Sequence, residues 1–364
     1  QGLAQRMAAS DTGERYIYAL QISQRDLGLS RNTVSKALKN SSEVSENTRN
    51  LVIKTASKLG YKNATFATPV IPASETGSNG TILFLTRTYA SDSEFWTTVL
   101  RGIESILSNA NYHLAISIMS DSDLKQLNFP QTISDSSIKG IILVEICDKV
   151  VCDALSQFNL PIVSVDMPNV PFEELNGIDV VRMESKKNLK KIINQLIEKG
   201  AESFGFVGDL YSPNVSRGFQ ERYNALSECL AEHQLPLNQK NCLLHQTPED
   251  FRNFQTTVNN LQAMISLPDV FICGNDWTAI QLIYALQFLG FQIPKDICVV
   301  GFDNIPAASR ISPSLTTIST PQKYLGIAAA RQILERIQHP NCPHVFCQYE
   351  TELIIRNSTN ITSF

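Results

Sequence analysis

The residues best suited to chemistry fall in one short stretch, "LGLSRNTVSKALKN", at positions 27–40. Gly28 can take the positive φ of a tight turn, and Ser30 is a good N-cap for a helix that begins at Arg31. Val34, Ala37 and Leu38 fall at i, i+3 and i+4 and make one apolar stripe. Arg31, Asn32, Ser35 and Lys36 lie on the other face and around the helix start, flanked by Ser30 and Thr33. Guanidinium, amide, hydroxyl and ammonium groups placed there can reach base edges in a major groove and the phosphates beside it. An ordinary solvated helix carries the same pattern, so these residues alone leave both readings open.

Catalytic chemistry has no comparable stretch. The chain shows no GxGxxG after its first apolar strand, no phosphate loop, no GxSxG and no HExxH. The five histidines (His113, His233, His245, His339 and His344) are far apart, with no nucleophile beside them. The eight cysteines follow no CxxC or His-paired zinc spacing, and runs such as "FICG" and "ICVV" suggest buried free thiols in a reducing compartment. The expectation is a protein without catalytic residues, metal or cofactor, and not an enzyme.

Elements that position these residues follow from composition and periodicity. With 364 residues, 43% of them hydrophobic, the chain can form two or three domains with sizeable cores. Its net charge of −4 argues against wholesale coating of nucleic acid. Between Arg15 and Lys62, however, nine Lys and Arg face three Asp and Glu, while the rest is acidic. That asymmetry predicts a small cationic head on an acidic body. No run reaches the length of a membrane span and no signal peptide is evident, so a cytoplasmic protein without a membrane partner is expected.

Residues 17–62 read as three short helices, a helix-turn-helix head, with Ser45 capping the helix of "VSENTRNLVIKTASKLGYK". "NATFATPVIPAS" opens a linker over 63–79. Beyond it, strands such as "TILFLT", "HLAISI", "GIILVE", "PIVSVD", "IDVVRM", "SFGFVG", "VFICG" and "ICVVGF" alternate with helices near 94–110, 148–158, 185–199, 216–233 and 277–289. The rhythm predicts an α/β body over 80–358 with parallel sheets in two lobes, and a ligand at the strand ends between them.

Taken in order and spacing, "LGLSRNTVSKALKN", "VSENTRNLVIKTASKLGYK", "FICGNDWTAIQLIYALQFLGFQIPKDICVVGFDN" and "SPSLTTISTP" resemble the lactose/galactose repressor family of bacterial transcription regulators. The resemblance implies an all-α head that reads operator DNA and a two-lobed, periplasmic-binding-protein-like body. It implies a homodimer and a small effector (a sugar, sugar phosphate or nucleoside-like molecule) that controls DNA affinity. A cytoplasmic sugar-binding receptor without DNA function is the alternative. Carried over, lobe one takes about 79–181 and 302–320, and lobe two about 182–301 and 321–358.

The resemblance also implies effector contacts. Asp276 stands at the effector-contacting aspartate, with Trp277 beside it, and Phe95 and Trp96 match an aromatic pair facing the cleft. Asp276 could equally cap its helix, and the aromatic pair could simply pack in the core. The anchoring arginine's position, three residues before a Gly-Phe pair, holds Val215, leaving Arg217 as the substitute. Two tracts depart from the family pattern. The hinge has Pro69 and no wedging Leu, leaving Phe66 for that role, and "RMESKKN" replaces the usual "DN..G" near residue 183. Asp303 is expected to shape a lobe crossover.

Overall fold

The computed structural model describes residues 78–87, 93–146, 148–166, 170–210, 217–245 and 253–361, together with scattered positions between 30 and 52. The chain divides into two compact units, Gln1–Gly77 and Ser78–Phe364.

Within the first unit, the Thr33 backbone N–H donates to Ser30 Oγ at 3.1 Å, and the Thr48 N–H donates to Ser45 Oγ at 3.4 Å. Both serines thus act as the N-caps their positions suggest. Ala37, Val44 and Val52 are buried and form part of a small core. Arg31, Asn32 and Ser35, the helix near 17–25, and the hinge residues Phe66 and Pro69 lie outside the described residues.

The second unit alternates strands and helices. Its first part runs β1 Gly80–Arg87, α1 Glu94–Leu107, β2 Tyr112–Met119, α2 Asp121–Gln126, β3 Ile138–Val144, α3 Lys149–Ser156, β4 Ile162–Val165 and β5 Ile178–Met183. There follow α4 Lys187–Glu198, β6 Phe204–Asp209, α5 Arg217–Glu232, β7 Leu243–His245, α6 Phe254–Ala263, β8 Val270–Cys273, α7 Asp276–Phe288, β9 Cys298–Asp303 and β10 Thr316–Ser319. The chain ends in α8 Gln322–Gln338, β11 Phe346–Tyr349 and β12 Glu352–Ile354.

These strands form two six-stranded sheets, one lobe each. Lobe one has the order β11-β5-β4-β3-β1-β2 and lobe two the order β12-β10-β9-β8-β6-β7. Every pairing is parallel except β10 with β12. Strands such as Ile141–Val144 and Phe204–Val207 are apolar and buried because helices cover both faces. The chain crosses between lobes three times: after β5, after β10 and after β11.

The lobe boundaries read from sequence need correction. Residues 302–320 do not join lobe one: β10 pairs with β9 and β12 in the second sheet. Residues 321–349 do not join lobe two, because β11 pairs with β5 and α8 packs on α1. Two glycines make that helix contact possible. A Cβ on Gly102 would lie 2.1 Å from Lys323 O, and one on Gly326 would lie 2.0 Å from Val99 O, so the backbones touch. Arg336 of α8 then reaches β5, donating from Nη2 to Asp179 Oδ1 at 2.8 Å and from Nε to Oδ2 at 3.0 Å. Helices α2, α6 and α8 and strands β7, β10, β11 and β12 are additions to the elements read from periodicity.

Candidate functional site

Carboxyl ends of strands from both sheets converge between the lobes. Lobe one brings Thr86 at the end of β1, Glu145 after β3 and Asp166 after β4. Lobe two brings Asp209 at the end of β6, Asp303 at the end of β9 and Asp276 at the start of α7. Glu145, Asp166 and Asp303 have φ of 56°, 80° and 117°. Such left-handed backbone in non-glycine residues is costly and gathers where a surrounding structure enforces a functional geometry.

Phe95 and Trp96 open α1 behind the N-cap Ser93, and both are buried. Their rings pack edge to face, with centroids 4.7 Å apart. Trp96 Nε1 donates to Glu145 Oε1 at 2.5 Å, which fixes the carboxylate at the strand end. Burial pushes the Glu145 pKa up, opposed by the Trp96 hydrogen bond. Thr86 alternates onto the same face of β1 as Ile82 and Phe84, in whose cluster Phe95 and Trp96 also lie. Its buried Oγ1 has no hydrogen-bond partner.

Across the cleft stands Arg222, which the sequence reading missed. It lies on the buried stripe of α5 among Gly218, Ala225, Leu226, Cys229 and Leu230. Its Nη1 donates to Gly274 O at 2.5 Å, and its guanidinium covers the Phe302 ring. Nε is buried without a partner. Burial lowers the Arg222 pKa, while Asp303, Asp166, Glu221 and Asp276 oppose that shift. Asp303 shows the reciprocal effect: burial raises its pKa well above the carboxylate range, with Arg222 pulling it down. Thr320 Oγ1 and Gln322 Nε2 donate to the Asp303 carbonyl, which ties Asp303 to the crossover after β10.

Three expected effector contacts are placed otherwise. Asp276 has no exposed surface. Its Oδ1 accepts from Thr317 Oγ1 at 2.5 Å and its Oδ2 from the Ile305 N–H at 2.9 Å, so both oxygens serve protein groups. Asn275, rather than Asp276, caps α7 by accepting from the Thr278 N–H. Burial raises the Asp276 pKa to about 6. Asp276 therefore pins α7 to β10 and to the turn after β9, against Gly301, where a Cβ would approach Oδ1 to 2.2 Å. Trp277 is 40% exposed, outside the buried cluster. Arg217 donates from Nη1 to Val170 O at 2.5 Å and from Nε to Glu221 Oε1 at 2.9 Å, so it bridges lobes instead of joining Arg222.

A sequence signal for Arg222 existed. It precedes the pair Ala225–Leu226 by three residues, the spacing that the family pattern gives the anchoring arginine. Anchoring that pattern on Gly218–Phe219 moved the position to Val215. An arginine on an otherwise apolar helical stripe was the second signal.

Among the described residues no group of three or more His, Cys, Asp or Glu is arranged to hold a metal ion. No described helix is long and apolar enough to cross a membrane. The described cysteines are free thiols, with Cys342 exposed and Cys347 half-buried against the expectation of burial.

A capped helical head and a two-lobed α/β body with polar groups buried at its strand ends define a DNA-reading regulator with a ligand-sensing body. Residues 25–63 match the family model described as bacterial regulatory proteins, lacI family, and residues 193–359 match the periplasmic binding protein-like domain. The ribose operon repressor of Haemophilus influenzae is 27% identical over 91% of this chain and 95% of its own length. The HTH-type transcriptional repressor PurR of Photobacterium profundum is 26% identical over 92% of this chain and 96% of its own. The lac repressor dimer bound to operator shares the fold at a TM-score of 0.64 and 20% identity, over 92% of this chain and 97% of that one. The chain thus carries a lacI-family regulatory domain followed by a periplasmic binding protein-like domain.

Proposed function

We propose that the protein is an operator-binding transcription repressor, acting in the cytoplasm as a homodimer, whose DNA affinity is set by a small polyhydroxylated effector held between its lobes. The observation that carries this reading is that two polar atoms near the carboxyl ends of the strands are buried without a hydrogen-bond partner, Thr86 Oγ1 at the end of β1 in lobe one and Arg222 Nε on α5 of lobe two. Buried donors and acceptors are almost always satisfied, and a ligand hydroxyl between these strand ends would satisfy both. The Phe95–Trp96 pair supplies an apolar wall beside them. A relative named as a ribose operon repressor and a structural neighbour in complex with cellobiose favour a sugar or a sugar-bearing metabolite. Ser30, Arg31, Asn32, Thr33, Ser35 and Lys36 are the proposed DNA-facing residues of the head, and no catalytic role is assigned to any residue.

A thermal-shift screen of pentoses, hexoses, disaccharides, sugar phosphates and nucleosides tests the effector, since a ligand of the native state raises the melting temperature. Mobility shifts with genomic fragments test the DNA reading, and retarded fragments released or retained by the hit establish control. Binding of a sugar without any retarded fragment would instead identify a sugar receptor lacking DNA function.

A further inference from the structure

Side chains as well as crossovers connect the lobes. Arg182 leaves β5 of lobe one and meets Glu221 on α5 of lobe two: Nη1 donates to Oε1 at 3.0 Å, and Nη2 donates to Oε2. The two side chains are 6% and 13% exposed. Arg217, one turn earlier on α5, donates to the same Glu221 and to Val170 O in the loop after β4 of lobe one. Burial works against the Glu221 carboxylate, yet Arg182 and Arg217 together hold its pKa below the usual value. Arg182 is the first residue of "RMESKKN", the tract that departs from the family pattern.

We propose that Arg182, Glu221 and Arg217 form a latch that holds the two lobes together, so that breaking it opens the cleft. Three features support it. The fork-to-carboxylate geometry is bidentate and shielded from water, which makes the pair strong and directional. A second guanidinium on the same carboxylate supplies the extra hydrogen bonding that a buried ion pair needs to offset desolvation. Finally, Glu221 and Arg222 are consecutive, so a ligand group drawing on Arg222 acts on the helical turn that carries the latch. Effector and latch then bias one equilibrium between lobe arrangements.

Two tryptophans make the closure measurable in the full chain. Trp96 is 8% exposed in the cleft, beside Glu145, whose charge senses Asp209 of lobe two. In a W277F background without effector, acrylamide should quench Trp96 weakly. Adding R182M and E221M removes both charges of the buried pair together, leaving only the part-exposed Arg217 without its carboxylate, and should raise the quenching constant at least threefold. Adding K186M and E228M instead, at a half-exposed ion pair inside lobe two, should leave it unchanged. A double variant that unfolds cooperatively in urea yet quenches like W277F overturns the latch. Should that variant fail to fold, E221Q keeps the size and one accepting oxygen but sets an NH2 donor against the guanidinium in place of the other, and an unchanged constant there overturns the latch equally. None of these readings depends on DNA or on a named effector.

Discussion

The guanidinium carbon of Arg222 lies 3.6 Å from the centroid of the Phe302 ring, joining α5 to β9 at the floor of the cleft. Stacking of this kind fixes the plane of the guanidinium while leaving its edge for hydrogen bonds, and a partly desolvated cation–π contact stabilises by about 1–2 kcal/mol. Substituting Arg222 with Met keeps an unbranched apolar side chain over the ring and removes the N–H groups. A ligand hydrogen-bonded to the charged group would lose roughly 1.5–3 kcal/mol, about ten- to a hundredfold in affinity. Calorimetry with the sugar or nucleoside found by the thermal screen should show this loss, and an unaltered dissociation constant would remove Arg222 from the site.

Asp276 makes stability depend on pH in a defined window. Burial lifts its folded pKa to about 6, above the 3.8 of an ordinary aspartate, so the folded state holds its proton more tightly than the unfolded chain does. Its contribution is therefore fully present below about pH 4 and is lost as pH rises through 6. The unfolding free energy of the wild type minus that of D276N should fall between pH 4 and pH 7, by at most about 3 kcal/mol. Urea titrations at four pH values check the slope; a difference that grows with pH contradicts the buried placement.

Backbone contact between α1 and α8 predicts intolerance of a single methyl group. G102A or G326A would place a Cβ about 2 Å from a carbonyl oxygen of the opposite helix. Separating the helices should cost about 1–3 kcal/mol, as overpacking does. The urea midpoint should drop accordingly, whereas alanine at Gly200, with open space but a φ of +97°, should cost less.

Removing Arg336 should be among the more damaging single changes. Asp179 is completely buried and receives both guanidinium bonds along with the Val345 N–H, while Arg336 also gathers the carbonyls of Pro340, Cys342 and Pro343. R336M leaves a buried carboxylate uncompensated, a loss of roughly 3–5 kcal/mol. Thermal denaturation near neutral pH should show it. D179N/R336M, which removes both charges, should recover part of the loss.

In the head, Lys36 is half-buried on the helix capped by Ser30. K36A should weaken operator binding. If Lys36 contacts a phosphate, the slope of log affinity against log salt should shrink by about one unit. Unchanged affinity and slope would take Lys36 out of the DNA contact set.

Local patterns made much of this protein legible. Ser30 and Ser45 cap helices because a hydroxyl ahead of an apolar stripe satisfies the same orphan N–H groups in any context. Alternating apolar strands and amphipathic helices announced the parallel α/β body because burial on both faces requires continuous runs such as Ile141–Val144. Phe95 and Trp96 were expected at the cleft from the family resemblance rather than from local pattern, and they lie buried at the start of α1.

Tertiary structure decided what periodicity cannot encode. The assignment of α8 and β11 to lobe one rests on Gly102 meeting Lys323, Gly326 meeting Val99, and Arg336 meeting Asp179, contacts more than a hundred residues apart. Asp276 stands at a helix start in either reading; only the approach of Thr317 and Ile305 turns its oxygens to protein. Arg182 and Glu221 are unremarkable charges along the chain, and they become partners because two lobes bring a strand and a helix together. Sequence specified the elements and their caps, since those depend on neighbours within a few residues. Which charges are buried, and against what, depended on packing between elements distant in the chain.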